Sequence, residues 1–169
     1  HLVFKGTPTH ADPTKEFTAR GMRWNGNTTH ERTVYFEAFT ANDDNLRFAL
    51  KFEADRMVNS FIAKKDLDSE MTVVRNEFEI GENDPTQALD KEIFAAAFQA
   101  HPYHHSTIGW RSDIEKVSID KLREFYDTFY WPDNATVTIV GDFAPAAGLA
   151  LVKKYYGAIP RSEERRVGK

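Results

Sequence analysis

Glu70-Met71-Thr72-Val73-Val74-Arg75-Asn76-Glu77-Phe78-Glu79 is the stretch whose reading decides the fold. Wound as a helix, it places Leu67, Met71, Val74 and Phe78 on one apolar stripe, with Glu70 and Glu77 nearly aligned along its border. The spacing predicts a long helix over 66–83 that carries two carboxylates at the edge of a core. A buried carboxylate is costly unless it is paired, hydrogen-bonded or bound to a metal. Composition alone does not choose among these, because Glu-rich helices ordinarily turn their acids to water.

The pattern extends in both directions. A second long helix is expected over 43–59, where Leu46, Leu50 and Met57, followed by Phe61, recur near helical spacing. Asp12-Pro13 supplies an N-cap and a first-turn proline for a short helix that Gly21 ends. Residues 22–27 and 32–40 read as an antiparallel strand pair, the second rich in β-branched and aromatic residues. Helices are expected over 86–100, 118–130 and 144–156, and a strand over 135–141. Helices with few strands define an α+β class, an antiparallel sheet flanked by helices.

With 169 residues, 41% of them hydrophobic, the chain is long and apolar enough for a packed domain. A net charge of −4 with scattered Lys and Arg gives no footprint for nucleic acid. No apolar run is long enough to span a membrane, and no signal-peptide pattern opens the chain. Cysteine is absent, so a metal site would draw on His, Asp or Glu.

Both ends look foreign to a whole protein. His1 stands where an initiator would, and Leu2-Val3-Phe4 continues an apolar pattern that calls for earlier turns. The start therefore reads as truncated. After Pro160, Arg161 to Lys169 resembles the translation of a DNA sequencing adapter, so the expected organisation is one partial domain over 1–160 and a non-native tail over 161–169. A charged, solvated tail is equally compatible with that composition.

Several segments in order carry a resemblance to a known family. His1-Leu2-Val3-Phe4-Lys5-Gly6-Thr7 resembles the end of a His-x-x-Glu-His helix, with His1 as the second His. Val73-Val74-Arg75-Asn76-Glu77 resembles the downstream Val-Val-x-x-Glu helix, and Glu70 fills a further acidic position. Gly21-Met22-Arg23-Trp24-Asn25-Gly26-Asn27-Thr28 is similar to a Gly-Gly-x-x-Asn-Ala-x-Thr strand with Gly26 in place of alanine, and Thr33 and Tyr35 follow it as Thr-x-Tyr. His101-Pro102-Tyr103, Ile108-Gly109, Trp131-Pro132-Asp133-Asn134 and Val140-Gly141-Asp142 match later landmarks. On these motifs the chain resembles the catalytic half of the pitrilysin/insulinase family of zinc metallopeptidases, the inverted zincins, from His1 to about Pro160.

The resemblance implies a half-domain fold of the mitochondrial-processing-peptidase type and a zinc endopeptidase acting on peptides or small unfolded proteins. It makes His1 and Glu77 zinc ligands, and Glu70 a carboxylate that orients them. The first His and the general-base Glu would precede His1, leaving the chain inactive by itself. Substrate would add as a strand along Trp24, Asn25, Gly26 and Asn27, although Asn25 and Asn27 also suit an ordinary turn-flanked strand. A homologous second half, fused or separate, would close a chamber, and a bacterial envelope location follows by analogy. The other reading is a non-catalytic homologue that binds peptide or serves as a structural subunit. His30 with His101, His104 and His105 could suggest a second metal site, but the Pro102-Tyr103 pair reads more simply as a structural turn. Phe125, Tyr126, Phe129, Tyr130 and Trp131 are assigned to packing.

Overall fold

The computed structural model describes residues 1–162; the final part of the tail, 163–169, lies outside the described residues. Seven α-helices, two strands and three short 3-10 turns are found among them. They gather into two compact units. The first takes His1–Trp24, Glu37–Ile62 and the chain from Asp120; the second takes Asn25–Phe36 and Ala63–Ile119.

In the first unit, helix α1 (Pro13–Ala19) begins where the Asp12 carboxylate accepts the Lys15 N–H, with Pro13 in the first turn. It ends in a Schellman motif: Met22 N–H donates to Phe17 O and Gly21 N–H to Thr18 O, with Gly21 at φ 65°. That closure delivers Phe17 and Met22 to the same place, and both are buried with Phe48 and Phe52 of α2 (Asp43–Asn59). The Phe17 and Phe52 rings meet edge to face at 4.8 Å. The expected contacts of α2 are only partly found. Leu50 is buried and Leu46 and Met57 half-buried, yet Phe61 is exposed, and the interior positions Phe48, Ala49, Phe52, Ala54 and Arg56 surround most of the helix. A helix buried on several faces loses the single stripe that periodicity detects.

The carboxyl end of α2 is closed by α6 (Ile119–Phe129). The Tyr126 hydroxyl donates to Arg56 O at 2.7 Å and accepts the Ser60 N–H at 3.0 Å, satisfying groups that a helix end leaves orphaned. Tyr126 is buried as expected, whereas Phe125 and Phe129, both exposed, meet with ring centroids 4.7 Å apart and planes tilted by 44°. Helix α7 (Pro145–Tyr156) packs on α2. Residues 135–141, expected as a strand, are not one: no neighbouring strand lies beside them among the described residues, and a β-branched run without a ladder partner gains no sheet hydrogen bonds.

The second unit holds α3 (Lys64–Asn83), α4 (Pro85–Ala97) and α5 (Arg111–Lys116), the last not anticipated from sequence because it spans under two turns. The predicted stripe of α3 is present, with Leu67 buried and Met71, Val74 and Phe78 half-buried. Asp84 separates α3 from α4 and accepts the Thr86 and Gln87 N–H groups. Strands β1 (Arg23–Thr28) and β2 (Thr33–Ala38) form a two-stranded hairpin, its base in the first unit and its outer part in the second. Thr29 N–H donates to Arg32 O at 2.8 Å, a register that sets Thr28 opposite Thr33 and Arg23 opposite Ala38.

Phe52→Ala is expected to cost about 3–5 kcal/mol and Phe125→Ala less than about 1 kcal/mol in urea denaturation. Equal losses at the two positions would show that the aromatic cluster is not the core of the first unit.

Candidate functional site

His1 stands exposed as the N-cap of a 3-10 turn, Leu2–Phe4, rather than at the end of an α-helix. Its carbonyl accepts the Phe4 N–H at 3.0 Å, and Leu2 and Val3 are buried, so the backbone beneath the imidazole is anchored. Just beyond, Gly6 takes φ 107°, and a Cβ there would lie 2.5 Å from His10 O. Only glycine passes that bend. It leads into a polar knot in which Thr7 and Thr9 hydroxyls donate to Asp55 Oδ2 at 2.5 and 2.6 Å. Burial pushes the Asp55 carboxyl up, but these hydroxyls, Asn59 and His10 together outweigh it and hold the group below its ordinary range.

In the second unit, α3 carries the two candidate acids. Glu70 is half-buried beside the stripe and Glu77 is exposed. Glu70 therefore sits at a core edge as expected, while Glu77 lies further out on the helix. His1 belongs to the first unit and Glu77 to the second. Imidazole and carboxylate are donor types that zinc accepts, and a catalytic zinc takes three protein donors. Among the described residues no three His, Asp or Glu gather closely enough to hold a metal ion, so these residues alone do not fit a complete zinc centre.

The residues expected along the substrate edge divide by face. Trp24 and Gly26 are half-buried and Asn25 and Asn27 exposed, as alternation on a strand requires. Trp24 is also a packing residue, its ring 5.1 Å from that of Phe17. The register leaves the Gly26 N–H directed away from β2, and there it donates to Asn25 Oδ1 at 2.8 Å.

The tip of the hairpin is held by side chains. His30 stacks on Phe94 with rings 9° from parallel, lies 4.8 Å from the Tyr103 ring, and bonds through Nε2 to His105 O at 2.9 Å. The Tyr103 hydroxyl donates to Glu31 Oε1, and its ring meets Phe98 and His101 edge on. The histidines thus bond to backbone and stack on rings, in keeping with a structural turn over Pro102–His104. Sequence gave no signal for this clamp, because Glu31 and Tyr103 are 72 residues apart.

Comparison with known proteins agrees along the whole length. Residues 1–110 match the model of the insulinase family, peptidase family M16, and residues 116–169 match that of the peptidase M16 inactive domain. A zinc protease of Mycobacterium tuberculosis is 30% identical over 160 residues, which are 94% of this chain and 36% of that protein. The zinc protease PqqE of Helicobacter pylori is 28% identical over 170 residues, covering 99% and 38%. Among solved structures, a protease from Helicobacter pylori superposes with TM-score 0.91 at 27% identity, over 100% of this chain and 41% of that one. The first half of the periplasmic protease PqqL from Escherichia coli gives 0.85 at 25%, over 99% and 38%. The chain therefore spans 36–38% of the length of these curated relatives. Since the first model alone covers well over half of the sequence, in a fold shared with solved proteases, the chain belongs to the insulinase family of peptidases, M16.

Proposed function

We propose that this chain is part of the catalytic half of a zinc-dependent endopeptidase that cuts peptides or small unfolded proteins. His1 and Glu77 are two of its zinc ligands, and Glu70 orients them. The observation that carries this reading is the placement of both acids on one family-matched helix, α3, with Glu77 exposed and Glu70 half-buried at the border of the same stripe. The remaining donor and the general base come from residues outside the 169, as does a homologous second half, in line with the 36–41% of each relative that the chain spans. Domain limits of 1–160 with a non-native 161–169 belong to the same proposal.

Substrate lies along the outer edge of β1. Its backbone bonds to the edge that carries the Gly26 N–H, displacing the Asn25 carboxamide, while Trp24 anchors the strand to Phe17. The clamp of His30 and Tyr103 keeps the outer part of the hairpin in place, which a two-stranded ribbon needs because it is marginally stable alone. A bacterial envelope compartment fits the solved relative named a periplasmic protease. Among the described residues no helix is long and apolar enough to cross a membrane. A second reading, a peptide-binding subunit without activity, is favoured by the match of residues 116–169 to a domain described as inactive. The residues encoded immediately before His1 discriminate: His-x-x-Glu there supports the enzyme, any other pair the subunit.

The purified 169-residue chain is expected to show no zinc-dependent cleavage of a fluorogenic peptide, and turnover would refute the missing-base assignment. In a protein extended upstream by a His-x-x-Glu helix, Glu77→Gln should weaken zinc binding at least about tenfold in competition with a chelator, since even outer-shell changes reach that size. Unchanged affinity removes Glu77 from the ligand set. Gly26→Pro in the same protein deletes one edge donor and should lower peptide affinity about three- to tenfold by fluorescence anisotropy. An unchanged dissociation constant would rule out the β1 edge.

A further inference from the structure

The first unit gathers two acids around one buried base. Arg56, on α2, has a side chain only 3% exposed, and Glu37 of β2 and Glu53 of α2 are 9% and 22% exposed. The Arg56 Nε donates to Glu53 Oε2 at 3.1 Å, and its Nη2 donates to Glu53 Oε1 and reaches Glu37 Oε1 at 3.5 Å. The Phe4 and Phe52 rings each lie 5.2 Å from the guanidinium carbon, leaving little room for water on those faces. Tyr156, from α7, also faces the acids, and burial together with Glu53 and Glu37 pushes its phenol well above the ordinary tyrosine range.

Charge counting leaves one acid over. A guanidinium cannot be deprotonated, and it balances one carboxylate; Glu53 holds it through two nitrogens, the stronger geometry. A second ionised carboxylate beside the first would be buried against a like charge. Glu37 therefore retains its proton and donates it to Glu53. Burial first, then the hydrogen bond and charge of Glu53, push the Glu37 carboxyl up to about 9, with Arg56 opposing.

We propose that Glu37 and Glu53 share a single proton against Arg56, and that this proton is a latch joining β2 to α2, whose loss at alkaline pH loosens the first unit. The latch is independent of whether the chain cleaves peptides. Its direction follows from linkage: the folded chain keeps a proton that the unfolded chain releases near 4.5. Stability from this site is complete below that value and is lost as pH rises toward about 9.

Urea denaturation of the 169-residue chain and of Glu37→Gln, which keeps a hydrogen-bond donor without the charge, tests the latch. Between about pH 5.5 and 8.5 the wild-type folding constant should fall relative to that of the variant by up to about tenfold per pH unit, making the variant the more stable at the upper end. A ratio independent of pH overturns the proposal. Tyr156→Phe should keep the wild-type slope; loss of the slope there would assign the proton to the phenol and overturn the shared-carboxyl assignment. Carbon-13 NMR of the glutamate carboxyls stands apart from any variant's folding. One signal titrating above about pH 7 is expected, and titration of every glutamate below about pH 6 would refute the latch.

Discussion

A guanidinium is a permanent charge, so burying that of Arg56 constrains everything nearby. The guanidinium draws Glu53 from its own helix and Glu37 from β2, and the rings of Phe4 and Phe52 lie close to it. Its carbonyl accepts both the Tyr126 and Ser60 hydroxyls at 2.7 Å, so one residue joins a strand, a 3-10 turn and two helices. One turn earlier on the same face, Phe52 enters the aromatic cluster with Phe17 and Phe48. The carboxyl-terminal half of α2 is thus where charge and apolar packing of the first unit meet, and α1 and the base of the hairpin are built against it.

Elements whose ends are written in local chemistry were legible in sequence. Asp12-Pro13 with Gly21 bounded α1 closely, and the limits expected for α2 coincide with those observed. The stripe of α3 was legible because one face packs while the rest meets water. Elements defined by a neighbour were not. The run 135–141 has the composition of a strand, but a strand is a relation between two segments, and the second is not among the described residues. In α2 the weight of packing falls on Phe48 and Phe52, which a one-face pattern did not single out.

The candidate site divides the same way. Glu70 and Glu77 were singled out by spacing, but their metal role came through resemblance, and the exposure of Glu77 is something only the fold supplies. Of the strand residues, Trp24 proved to be held by Phe17, a contact between positions that no short-range pattern joins. Neither the Glu31–Tyr103 bond nor the approach of Glu37 to Arg56 leaves a local trace, because 72 and 19 residues separate the partners. Charged residues whose partners are distant read in sequence as ordinary solvated surface.

The segment Ala135-Thr136-Val137-Thr138-Ile139-Val140 bears on how this chain behaves in a tube. It is uncharged, free of proline and mostly β-branched, it lies beside no other strand among the described residues, and Val140 is 91% exposed. Those are the attributes of a template for intermolecular β-pairing. These six residues are thus the stretch of the described chain best suited to pair with a second copy, and a net charge of −4 is a weak counterweight.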